Sequence, residues 1–191
     1  MKANRMIQVA MIAGALMSLP ALTARADGGG GVFWGEQRAG YPFLPDTAIE
    51  NNSMDLAYVG GYGYGIHDRA ITGGFGYAIH DEDSENGTAG GFGGVISGIA
   101  LVRRPVSLSL ISWTGIGGLC TAEQRVAGED GWFLLSEEIT LELGVPVTRW
   151  LMPSVYAGYQ MIGNLAPGEP FSDFFTYTPV VGFRVAWGRF Y

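Results

Sequence analysis

The chain has 191 residues, a length that suggests one domain or at most two small ones. Glycine makes up 31 of them, more than twice the usual share of about 7%, yet nine Tyr, ten Phe and five Trp without a Gly-X-Y period exclude both collagen and a disordered glycine-rich linker. Only 15% of residues are charged and the formal net charge is −7, which excludes a nucleic-acid binder, because phosphate neutralisation needs clustered Lys and Arg.

Residues 1–26 stand apart. Lys2 and Arg5 give a positive start, Met6 to Leu22 is apolar apart from Gln8, Ser18 and Pro20, and Ala24-Arg25-Ala26 places small residues where a cleavage site needs them. That is the pattern of a secretory signal peptide, expected to be cleaved after Ala26. An uncleaved anchor fits less well, since a spanning helix needs about 20 apolar residues and Pro20 interrupts the stretch. Cleavage removes Lys2, Arg5 and Arg25 but no acid, so the formal charge falls by three from −7 to −10 and no lysine remains. Cys120 is the sole cysteine, which rules out an internal disulfide and leaves no cysteine after the cleavage point to carry a lipid. Residues 27–191 are expected to form a single domain.

After residue 27 helical periodicity is poor and period-two alternation recurs, the mark of strands with two different faces. A weak first strand covers 29–38. In 54–66 one parity carries Leu56, Tyr58, Tyr62, Tyr64 and Ile66, and the other Ala57, Val59, Gly61, Gly63 and Gly65. Residues 70–80 repeat the arrangement, with Ile71, Phe75, Tyr77 and Ile79 against Thr72, Gly74, Gly76 and Ala78. Residues 88–102 are apolar on both parities, and 105–118 change phase near Ile111, as a bulge would cause. Next, Phe133, Leu135, Ile139, Leu141 and Leu143 oppose Ser136, Glu138, Thr140 and Glu142, with Glu137 the exception on the apolar face. Residues 150–163 alternate moderately. Last, Val181, Phe183, Val185 and Trp187 oppose Gly182, Arg184, Ala186 and Gly188.

The eight segments are joined by connections that alternate long (39–53, 80–88, 119–130, 164–176) and short (67–69, 103–105, 145–149). Such a meander puts every long loop at one end and both termini at the other, the asymmetry of outer-membrane barrels. Charge sorts in the same way. The long connections hold Asp46, Glu50, Asp81, Glu82, Asp83, Glu85, Glu123, Glu129, Asp130, Glu169 and Asp173 against Arg125, a sum of −10; the short ones hold Asp68, Arg69, Arg103, Arg104 and Arg149, a sum of +3.

With this pattern the chain resembles the small eight-stranded bacterial outer-membrane barrels, the group of the OmpA transmembrane domain and OmpX. Such proteins end in an aromatic residue preceded by alternating hydrophobic positions, a signal read by the outer-membrane assembly machinery. Here Tyr191 is last, with Phe183, Val185 and Trp187 at the matching parity, while Arg189 departs from the pattern. The resemblance implies an all-β, closed, antiparallel up-and-down transmembrane barrel of eight strands in the bacterial outer membrane. Outer-membrane lipid surrounds it, the long loops face outside and both termini are periplasmic. Physics agrees, because strands in lipid satisfy their backbone only by closing without edges.

Eight strands leave a lumen just wide enough for side chains to fill. Glycine and alanine of the second and third strands are expected to line it, with Tyr62, Tyr64, Phe75 and Tyr77 covering glycine backbone from outside. Glu138, Glu142 and Arg184 fall on inward parities and are expected to form a structural luminal network, since buried ions persist when paired. Trp113 and Trp132 at long-loop ends and Trp150 and Trp187 at short-turn ends suit aromatic girdles; only Trp187 has a settled outward parity, and the other three are open to a packing role. Cys120 reads as a loop or rim residue.

No catalytic residue, cofactor or metal is expected. The run His80-Asp81-Glu82-Asp83-Ser84-Glu85 lacks the spacing of a calcium loop, and acidic runs are usually solvated surface. The expected role is envelope structure or surface interaction through the acidic loops. Two alternatives remain. One is a barrel enzyme acting on lipid acyl groups through His80, with Ser84 nearby; His67 lies at a short turn, the wrong end. The other is a soluble, lipocalin-like exported barrel, with its large apolar parity inside and a charged exterior.

Overall fold

The computed structural model describes residues 27–39, 54–81, 88–120, 131–164 and 175–189. They form eight strands: β1 (Asp27–Ala39), β2 (Met54–His67), β3 (Ala70–Asp81), β4 (Ala89–Val102), β5 (Ser107–Cys120), β6 (Trp132–Gly144), β7 (Leu151–Asn164) and β8 (Phe175–Arg189). Each pairs antiparallel with the next, and β8 returns to β1 from Gly28↔Arg189 to Gln37↔Val180, closing the barrel. Residues 1–26, the acidic stretches at 40–53, 82–87, 121–130 and 165–174, and Tyr191 lie outside the described residues.

Local chemistry explains the short connections. His67 pairs with Ala70, leaving Asp68 and Arg69 as a two-residue turn. Asp68 takes a φ of 54°, which its short polar side chain tolerates better than most. Between β6 and β7 the amide of Val145 donates to Pro153 O at 2.9 Å and that of Val147 to Leu151 O at 3.0 Å, tying the turn at its neck.

The alternation has the expected sense in β6 and β8. Ile139, Leu141 and Leu143 point out while Ser136, Glu138, Thr140 and Glu142 point in; Val181 and Trp187 point out while Arg184 and Ala186 point in. In β2 and β3 it is reversed. Tyr58, Tyr62, Tyr64, Phe75 and Tyr77 are buried inside, and Gly61, Gly63, Gly74 and Gly76 take the outer parity. The reason is volume: two strands lined inwardly by glycine and alanine alone would leave a void, and interiors pack to crystal-like density. Rings from β2 and β3 fill the space instead. Phe33 of β1 stands 5.4–6.2 Å, centroid to centroid, from the rings of Tyr58, Tyr62, Tyr77 and Trp113, and Phe75 stands 5.1 Å from Trp113, within the range of favourable tilted and edge contacts.

Two further expectations are corrected. The register slip lies in β4, between Ala100↔Ser109 and Val102↔Leu108, and not near Ile111; β5 runs unbroken against β6 from Ser107↔Gly144 to Leu119↔Trp132. The phase change in β5 arises because it is apolar on both sides, with Ile111 and Trp113 inside and Leu110 and Ile116 outside. Trp113 also belongs to no girdle, since it sits mid-strand and only 3% exposed.

Small residues on the inner parity make room for rings from the neighbouring strand, Gly182 lying opposite Tyr156 and Gly35 opposite Tyr58. A Cβ on Gly182 would run into the Tyr156 hydroxyl, and one on Gly35 into that of Tyr58. These two tyrosines reach across the lumen and share a hydrogen bond of 2.7 Å.

Candidate functional site

The densest polar chemistry lies inside the barrel, on β6, β7 and β8. Arg184 of β8 is 1% exposed. β7 separates it from β6, and the register sets the heights: Ser154 pairs with Arg184, Tyr156 with Glu142, and Gln160 with Glu138. The guanidinium therefore reaches past β7 to both glutamates. Its Nη1 donates to Glu142 Oε2 at 2.5 Å and its Nη2 to Glu138 Oε1 at 3.2 Å, while Ser154 Oγ donates to Glu142 Oε1 at 2.7 Å.

Rings complete the enclosure. The Arg184 guanidinium carbon lies 3.7 Å from the Tyr156 ring centroid and 4.1 Å from that of Trp113. Cations over aromatic faces gain about 0.5–2 kcal/mol, more when desolvated. Nearer the long-loop end, Gln160 Nε2 donates to Tyr77 Oη at 2.9 Å and to Ser136 Oγ at 3.0 Å. Toward the short-turn end an enclosed cavity of about 20 Å3 touches Tyr64, Arg103, Ser109 and Glu142, room for roughly one water. The arrangement is a luminal clasp: one guanidinium bridges β6 to β8 over the intervening β7 and is wedged between rings from β5 and β7.

Glu138, Glu142 and Arg184 thus meet. Sequence reasoning missed Tyr156, Ser154 and Trp113 around them; the inner parity of β7, Met152-Ser154-Tyr156-Gly158-Gln160, was the available signal. It also missed what surrounds Glu137. On the outer face Glu137 accepts from Ser112 Oγ at 2.5 Å and from Thr114 Oγ1, so two hydroxyls of β5 satisfy the carboxylate of β6.

The remaining candidates lie apart. His80 is exposed at the long-loop end of β3, and Ser84 falls outside the described residues. His67 is exposed at the β2–β3 turn, at the opposite end of the barrel, with Nε2 3.8 Å from Asp68 Oδ2. Cys120 ends β5 at the long-loop rim, half-buried, its thiol directed at Ala89 O at 3.5 Å. Phe183 and Val185 are partly covered on the outer parity, Trp187 is exposed there, and the Phe183 ring lies tilted against Trp34 of β1 with centroids 4.9 Å apart. Among the described residues no group of three His, Cys, Asp or Glu is arranged to hold a metal.

Fold and interior together define the class: a closed, antiparallel, eight-stranded barrel with a filled, ion-paired lumen. No protein-family model matches the chain, and no curated protein matches it.

Proposed function

We propose that the chain is an integral outer-membrane β-barrel protein, exported by a signal peptide over residues 1–26. Its expected work is envelope structure or surface interaction through the long acidic loops, without catalysis or a cofactor. On this reading it is similar to the small eight-stranded outer-membrane barrels in more than strand number, with residues 27–191 as the barrel and Phe183, Val185, Trp187 and Tyr191 as the assembly signal. Outer-membrane lipid and the assembly machinery are its partners, and the loops face outside.

One observation carries the reading: large apolar side chains lie on the outer face while charged groups lie inside. Arg184, Glu138, Glu142 and Gln160 are buried, while Val95 is 61% exposed, Tyr159 67% and Val181 59%. In water this would waste the hydrophobic effect and bury ions at a cost; in hydrocarbon both arrangements are favourable. Strands of 12 to 15 residues exceed the roughly 9–11 needed to cross a bilayer. Glu137 is a charge on the outer belt, and its two hydroxyl donors reduce the cost of holding it there.

The soluble ligand-binding alternative has one observation in its favour, the inward large parity of β2 and β3. Against it, the outer faces of β2–β4 carry Gly61, Gly74, Gly91, Gly93 and Val95 where charge would be expected, and rings occupy the lumen. Electrophoresis in detergent with and without boiling separates the two. A folded membrane barrel migrates differently before heating and sediments with the outer-membrane fraction. A single unshifted band in the periplasmic fraction would sink the proposal.

A further inference from the structure

The rim at the short-turn end is unlike the rest of this acidic chain. An open groove of about 950 Å3 lies there, lined by Arg104 and Pro105 of the β4–β5 turn, Pro146, Val147 and Arg149 of the β6–β7 turn, and Arg189 at the end of β8. Three guanidinium groups from three segments share it, and none of its lining residues among those described is acidic. All three arginines are exposed. Three guanidinium groups around one open space raise the local positive potential and favour an anion there. The planar guanidinium fork matches a phosphate bidentately.

The flanks identify the kind of anion. Gly188 N donates to Trp150 O at 3.0 Å, which binds the end of β8 to the β6–β7 turn and brings Trp150 and Trp187 beside Arg149 and Arg189. Both indoles are exposed, as are Val145 and Val147. A free phosphate or an acidic peptide would gain nothing from this apolar border. A molecule with an anionic head and an apolar body would use both halves, the chains lying against indole and valine while the arginines hold the head.

We infer that this groove binds the phosphodiester headgroup of an anionic phospholipid in the leaflet at the short-turn end, an assignment that rests on the membrane reading. The test uses the full mature chain refolded into phosphatidylcholine vesicles with or without phosphatidylglycerol, then extracted and weighed by native mass spectrometry for retained lipid. Wild type should retain phosphatidylglycerol in preference to phosphatidylcholine. The triple variant Arg104→Gln/Arg149→Gln/Arg189→Gln should lose that preference, by about fivefold per arginine and on the order of a hundredfold in all. Arg69→Gln, a charge change on the same rim outside the groove, should leave it intact. A heat-dependent mobility shift retained in the triple variant shows that its barrel still folds.

Equal retention of both lipids by wild type, or an unchanged preference in the triple variant, overturns the groove. So does displacement of the lipid by inorganic phosphate at equal concentration, or capture of polyglutamate in place of lipid. A chain that enters neither kind of vesicle refutes the membrane reading itself, whereas one that enters both and holds no phosphatidylglycerol refutes the groove alone.

Discussion

The two walls of the barrel solve the same problem in opposite ways. Along β1–β4 the bulk is inside: Phe33, Tyr58, Tyr62, Phe75, Tyr77 and Phe92 fill the lumen, and the outer parity of β2–β4 is reduced largely to glycine and small residues. Along β6–β8 the bulk is outside: Phe133, Ile139, Leu141, Val155, Tyr159, Val181 and Trp187 face outward, and the lumen receives shorter polar groups and ions. An eight-stranded ring cannot hold large side chains from every strand, so volume supplied by one wall must be withheld by the other. Arg184 works where the walls meet, paired with carboxylates of its own side and stacked on Trp113 from β5.

The sharpest way to break this division is to remove the cation. Arg184→Met leaves two buried carboxylates without a counter-charge and is expected to lower the stability of the detergent-folded barrel by about 3–5 kcal/mol, read as a fall in the urea midpoint. Adding Glu138→Gln and Glu142→Gln should recover most of the loss; failure to recover would mean that the guanidinium acts mainly through its ring contacts. On the aromatic side, Trp113→Ala opens a cavity and is expected to lose about 3–5 kcal/mol in the same titration. Glycines separate the inner and outer faces. A Cβ on Gly115 would stand 2.8 Å from Phe75 Cζ, whereas one on Gly74 meets only Gly94 O at 3.4 Å. Gly115→Ala should therefore destabilise by about 1–3 kcal/mol and Gly74→Ala by no more than about 0.5 kcal/mol; equal effects would contradict the assigned faces. Tyr58→Phe falls between the two glycine variants, since it removes the cross-lumen bond to Tyr156 for about 0.5–1.5 kcal/mol, visible as a modest shift in melting temperature.

Much of this was legible in advance. Alternation and turn spacing place β2 and β3 to within a residue of their observed ends, because a strand's period and a two-residue turn are local properties. The faces of β6 and β8 are legible because charge marks the inside: Glu138 and Glu142 alternate with Ile139 and Leu141, and Arg184 lies between Phe183 and Val185. The faces of β2 and β3 are not, because their Tyr and Gly residues carry no charge to mark a side and the choice depends on how much room the other six strands leave. The same holds for Trp113, whose neighbour Ser112 points outward to Glu137. Polar-out and apolar-in are not rules here, so only a register across strands decides.

The closure of the ring ties two features of the molecule to one strand. β8 is the last strand in the chain, and it carries the buried guanidinium. Seven strands alone would make an open sheet with two unpaired edges and two lumen-facing carboxylates lacking a counter-ion. The eighth removes both defects at once, pairing with β1 and delivering Arg184 to Glu138 and Glu142. Completion of the hydrogen-bonded ring and neutralisation of its interior therefore depend on the same strand, and a sheet without β8 carries both defects at once.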